Sequence, residues 1–192
     1  ILYEGLPIRP VAGIWWSIVE KYKVTRMFSA PTAVRVLKKQ DPAYLSKYDI
    51  SSLKALWLAG EPLDEPTATW ISGALNVPII DNYWQTETGW PILTLCNGVE
   101  QQPSRFGSPG KAVYGYNVKL IDEATGEELT VPNQKGVVAI EGPLPPGCLQ
   151  TVWRDDDRFV NTYWKSIPGR LLYSTFGWGI REAAGCYFVL GR

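Results

Sequence analysis

Ten consecutive residues, Asp81 to Trp90, read DNYWQTETGW. They gather two carboxylates, a phenol, two carboxamides, two hydroxyls and two indoles at the end of an apolar run. Carboxylates and hydroxyls are hydrogen-bonding groups and hard oxygen donors, and the rings offer stacking faces. About twenty residues earlier, the AGEP stretch from Ala59 to Pro62 also begins where an apolar run stops. Two readings of the ten-residue stretch stay open: the lining of a pocket, or an aromatic core edge with incidental polar residues. Taken alone, Tyr83 and Trp84 suit core packing, and Glu61 and Asp81 suit caps or turns.

The chain contains no histidine. That excludes histidine-based triads, general bases and metal ligands, and leaves carboxylates, hydroxyls, backbone dipoles or a bound cofactor to do chemistry. Lysine plus arginine and aspartate plus glutamate each number 19 among 192 residues, so the net charge is zero and no nucleic-acid polymer or acidic membrane partner is expected. A 45% hydrophobic content is ordinary for a folded chain. Cys96, Cys148 and Cys186 are odd in number and lack a C-x-x-C pair, so neither a disulfide framework nor zinc is indicated and a reducing cytoplasm is expected. The apolar N-terminal stretch is interrupted by Glu4, Pro7, Arg9 and Pro10, and reads as neither signal peptide nor membrane helix.

These groups must be positioned by two kinds of structure. Up to about residue 105 the pattern alternates: a strand at 1–4, a helix from Pro10 to about Tyr22, a strand at 24–30, a helix from Pro31, a strand at 53–59, a helix capped by Asp64 and running to about Leu75, and a strand at 77–81. Such alternation predicts an α/β fold with a partly parallel sheet flanked by helices, and ligands at the carboxyl ends of its strands. From 106 to 192 short strands take over (106–111, 116–122, 136–142), with a capped helix at 155–164 and a final strand pair joined by the EAAG turn. A small antiparallel, barrel-like subdomain is expected there.

The ordered set FSAPTAVRVL, WLAGEP, DNYWQTETGW, GSPG, GPLPPGCLQTVW, DDDRFVNTYW and LGR resembles the central part of short-chain acyl-CoA synthetases, AMP-forming enzymes that make an acyl-adenylate. The resemblance spans essentially the whole chain and implies ATP/AMP, Mg²⁺ and, as co-substrate, coenzyme A. It implies that Gly60, Glu61 and Pro62 wall the adenine, Asp81 accepts from its amino group, Tyr83 faces the purine, and Gln85 and Thr86 contact the α-phosphate. Thr86 and Glu87 would be the catalytic pair, with Glu87 holding the metal. Trp84 would floor the acyl pocket, and Ala59, where acetate-selective relatives carry valine, would admit propionate. Arg192 matches one ribose contact, whereas Gly177 stands where the family places the second, an aspartate. The resemblance further implies a phosphate loop upstream of Ile1 and a lid beyond Arg192, so that the 192 residues alone are expected to be inactive. Two alternatives are an adenylation domain for another carboxylate and a binding module that keeps the fold without the chemistry.

Overall fold

The computed structural model describes residues 1–167 and 169–191. The chain divides into two compact units, Ile1–Asp81 and Asn82–Arg192.

In the first unit the elements are α1 (Ile14–Tyr22), β1 (Arg26–Ser29), α2 (Pro31–Lys38), α3 (Ala43–Ser46), β2 (Ala55–Ala59) and α4 (Glu65–Leu75), followed by β3 (Ile79–Tyr83), which runs across the division. β1 and β2 pair in parallel, Arg26 opposite Ala55 through Ser29 opposite Leu58. The sequence explains the helix starts. Pro31 opens α2 at a position where its missing N–H costs nothing, and Asp64 caps α4 by accepting from Thr67 N at 2.9 Å. One core holds the unit: Trp16 and Val19 of α1, Val34 and Leu37 of α2, Leu56 and Leu58 of β2, and Ile71 and Leu75 of α4. The strand expected at 1–4 is absent; Ile1 and Leu2 are exposed and form no ladder, although the cavity they line is shared with the residues of edge strand β1. α1 begins at Ile14 after a Gly13 cap, four residues later than Pro10 suggested.

The second unit takes the end of β3 and adds β4 (Leu93–Thr94) and β5 (Lys111–Ala112), both antiparallel, which makes the first sheet mixed with order β1-β2-β3-β4-β5. Of residues 106–110, expected as strand, Phe106 and Gly107 form a turn and Gly110 makes only an isolated antiparallel bridge to Tyr187, so that Lys111 and Ala112 alone enter the first sheet. A second sheet of β6 (Asn117–Ile121), β7 (Gly136–Glu141), β8 (Leu172–Arg181) and β9 (Tyr187–Gly191) is antiparallel in the order β6-β7-β8-β9 and curls into a half-barrel. α5 (Asp156–Tyr163) is capped by Asp155, which accepts from Arg158 N at 2.9 Å. Val118, Val138, Ile140, Tyr173 and Tyr187 fill the core of this unit.

Candidate functional site

In the first unit the loop after β2 is tied down by one arginine. Arg35 of α2 donates from Nε to Asp64 Oδ2 at 2.8 Å, from one terminal nitrogen to Glu61 Oε2 at 2.9 Å, and from the other to the Pro62 carbonyl at 2.8 Å. Thr32, one turn earlier, donates its backbone N–H to Glu61 Oε1 at 2.7 Å and its hydroxyl to the same oxygen. The Glu61 carboxyl lies below its usual range, chiefly through the Thr32 hydroxyl, with Arg35 adding to the effect. The Asp64 carboxyl is held at about 2: partial burial opposes the shift, and the bonds from Thr67 and Arg35 overcome it. The planar, five-donor guanidinium suits this three-way anchoring, which an ammonium does not reproduce. Gly60 has φ +101°, a left-handed conformation that favours glycine, and no atom lies within 4 Å of where a Cβ would stand. The strand end thus presents a side-chain-free backbone surface, with Glu61 turned back onto α2. Ala59 is buried at the end of β2, and Asp81 is half-buried on β3.

In the second unit the distribution of burial along the 82–90 loop is the reverse of a core edge. Asn82, Gln85 and Thr88 are 6%, 5% and 1% exposed, whereas Trp84 and Trp90 are 40% and 65% exposed. The buried polar groups are paired, as buried polar groups must be. Gln85 Nε2 donates to the Thr175 carbonyl at 2.6 Å, and Gln85 Oε1 accepts from Tyr173 Oη at 3.1 Å. The Thr88 hydroxyl accepts from Gln85 N at 3.1 Å and lies 3.0 Å from the carbonyls of Gln85 and Trp90, closing the loop on itself. Across β3 and β4, Thr94 Oγ1 donates to Asn82 Oδ1 at 2.7 Å. Burial, then the charge of Glu87, pushes the Tyr173 phenol well above its ordinary value, so it remains a donor.

Thr86 is exposed and Glu87 half-buried. Glu87 Oε1 accepts from Tyr163 Oη at 3.1 Å, and the Tyr163 ring stacks on Tyr173 with centroids 5.4 Å apart. One carboxylate oriented by a phenol matches the way Mg²⁺ is commonly held, by one or two carboxylates plus phosphate oxygens. Among the described residues no group of three or more histidine, cysteine, aspartate or glutamate side chains is assembled for a metal, so a cage built of protein alone is not what this loop offers. Arg192 lies outside the described residues. Among those described, no helix is long and apolar enough to cross a membrane.

Arg35, Thr32, Tyr163, Tyr173 and Thr175 are the residues that fix these loops, and none stands out in the sequence. Their partners lie 26 to 90 residues away, beyond the reach of local spacing.

The chain belongs to the AMP-binding enzyme family, whose match runs over residues 1–148. Across all 192 residues it is 62% identical to the propionate–CoA ligases of Escherichia coli (strain K12) and Salmonella typhimurium (strain LT2). It is 35% identical over 196 aligned positions to human acyl-CoA synthetase short-chain family member 3, mitochondrial. Each match takes in the whole of this chain but only 30% of the two bacterial ligases and 28% of the human protein.

Proposed function

We propose that these residues form the middle of a longer ATP-dependent, AMP-forming acid–thiol ligase that acts on propionate. The observation that carries this reading is the 62% identity sustained from end to end with two propionate–CoA ligases. A carboxylate oxygen of the acid attacks the α-phosphorus of ATP, pyrophosphate leaves, and the thiol of coenzyme A then displaces AMP from the acyl-adenylate. The geometry of each loop supports a role in the first step. The open backbone at Gly60, with Glu61 anchored to α2 and Pro62 held by Arg35, suits a flat base lying against the chain. Asp81 takes the amino group of the adenine and Tyr83 faces the purine. Gln85, whose carboxamide is bonded at both ends, fixes the loop from which exposed Thr86 reaches the α-phosphate. Position 177 faces the sugar. Glu87, oriented by Tyr163, holds Mg²⁺, which supplies charge neutralisation on the phosphate oxygens. No proton-transferring histidine is needed, because stabilising charge on phosphate is a task for positioned dipoles and cations. Trp84 and Ala59 limit the acyl group to a short chain.

The test is pyrophosphate exchange by the full-length protein with acetate, propionate and butyrate. Propionate is expected to give the highest kcat/KM. Absence of propionate-dependent exchange, with exchange on another carboxylate, would transfer the protein to a different adenylating activity.

A further inference from the structure

β8 is interrupted opposite β7. Val138 pairs with Gly177 and Ala139 with Ser174, so Thr175 and Phe176 form a two-residue bulge. Phe176 sits at φ +56°, which is costly for an aromatic residue and persists only where surrounding contacts enforce it. The other described non-glycine residues with positive φ, Lys23, Asn76, Asn133 and Arg154, close helices or occupy turns, and Phe176 alone lies inside a strand. The enforcing contacts are present. Gln85 Nε2 holds the Thr175 carbonyl at 2.6 Å, Thr175 Oγ1 donates to the Val138 carbonyl at 2.7 Å, and Phe176 N donates to Ser174 Oγ at 3.3 Å. Burial does not account for the side chain, which belongs to a residue 44% exposed. With neither backbone preference nor burial calling for phenylalanine, what remains is where its ring stands.

That ring meets Tyr163 edge-on, with centroids 5.9 Å apart and planes at 61°. Tyr163 also stacks on Tyr173 at 5.4 Å and leans on Phe159 at 5.7 Å. Three rings thus fix a phenol whose hydroxyl donates to Glu87 Oε1 at 3.1 Å. We propose that Phe176 is a positioning residue for the metal carboxylate: the strained bulge places its ring against Tyr163, and Tyr163 in turn aims Glu87. The proposal rests on the reading of Glu87 given above. A carboxylate already aimed loses less rotamer freedom when the cation arrives, and partners behind a metal ligand tune affinity for that reason. The same bulge also holds the start of the loop, because Gln85 is bonded to the Thr175 carbonyl and to Tyr173 Oη.

Calorimetric titration of the full-length protein with α,β-methylene-ATP, whose α–β link is not cleaved, tests it when run with Mg²⁺ and with EDTA. The readout is the factor by which Mg²⁺ tightens binding. Phe176→Gly removes the ring and suits the left-handed backbone. It is expected to cut that factor about two- to tenfold, the size of one ring contact, with binding in EDTA unchanged and Phe176→Tyr matching the wild type. Phe176→Leu, apolar but without a ring edge, is expected to follow the glycine variant and carries the test if that variant does not fold. In Tyr163→Phe, which lacks the hydroxyl, adding Phe176→Gly is expected to change nothing further. An unaltered factor, equal weakening with and without Mg²⁺, or full additivity with Tyr163→Phe would overturn the proposal while the adenylate reading stood. A wild-type protein that binds the analogue equally with and without Mg²⁺ would overturn it together with the metal role of Glu87, and one that binds it in neither condition would overturn the adenylate reading as well.

Discussion

Replacing Arg35 by methionine keeps most of the aliphatic stem and removes all three anchors of the 61–64 loop. The two ion pairs involve side chains that are about a third or more exposed, at 35% for Arg35, 33% for Glu61 and 43% for Asp64, so solvent screening limits each to about 0.5–1 kcal/mol. The bond to the Pro62 carbonyl adds about 1 kcal/mol. The sum is about 2–3 kcal/mol, which for a chain of this size lowers Tm by about 4–12 °C. Arg35→Lys retains one ion pair at a time and should lose roughly half as much. Glu61 and Asp64 both titrate lower in the folded chain than in the unfolded one. Their contribution is therefore fully present above the ordinary carboxyl range near pH 4 and is lost as pH falls towards the folded Asp64 value of about 2. The gap in Tm between wild type and Arg35→Met should be constant from pH 7 to 5 and shrink below pH 4. Thermal unfolding followed by circular dichroism reads both effects. Equal melting of wild type, Arg35→Lys and Arg35→Met at pH 7, or a gap that widens in acid, would refute the anchoring.

Three other outcomes are expected. Tyr163→Phe removes the donor 3.1 Å from Glu87 and should raise the Mg²⁺ concentration giving half-maximal exchange about tenfold, as losses behind a metal ligand do; an unchanged Mg²⁺ titration would detach Tyr163 from the metal. In the full-length protein Trp84→Gly should shift kcat/KM towards four- to six-carbon acids, each added methylene being worth about 0.8 kcal/mol where it is buried, and an unaltered chain-length profile would dismiss Trp84 as the pocket floor. The 192-residue chain by itself should make no propionyl-CoA from propionate, ATP and coenzyme A, and release of AMP that depends on propionate would show the opposite.

Much of the fold was legible because the signals were local. Pro31, Asp64 and Asp155 mark helix starts through their own dihedral and capping chemistry, and α2, α4 and α5 begin where those residues stand. What escaped depended on partners far along the chain. Ile1 and Leu2 look like strand and are exposed, while Leu93–Thr94 and Lys111–Ala112 are too short to show a period and become strands only by pairing with each other and with β3. The bulge at Thr175 and Phe176 lies inside a ten-residue strand that reads as continuous, and only the register against Val138 and Ala139 shows it. The two motif loops were visible as clusters of unusual residues. Which of those residues are spent inside the fold was not.

That division follows from burial. A polar side chain taken out of water needs a partner, and within the DNYWQTETGW stretch the partners of Gln85 come from β8, 88 and 90 residues downstream. Gln85 and Thr88 satisfy that need and in doing so fix the backbone around Thr86, which remains exposed. The same logic acts in the first unit, where Glu61 is absorbed by Thr32 and Arg35 and the neighbouring Gly60 is left open. In both loops an acidic or amide side chain is bonded within the fold, and a group next to it in sequence faces outward. A loop fixed by its own side chains has little ordering left to do when a ligand arrives, so less of the binding energy is lost to conformational entropy. Gln85→Ala should accordingly loosen the loop that carries Thr86 and weaken nucleotide binding, read as a raised Kd for AMP in the full-length protein, and an unchanged Kd would show that the loop keeps its shape without Gln85.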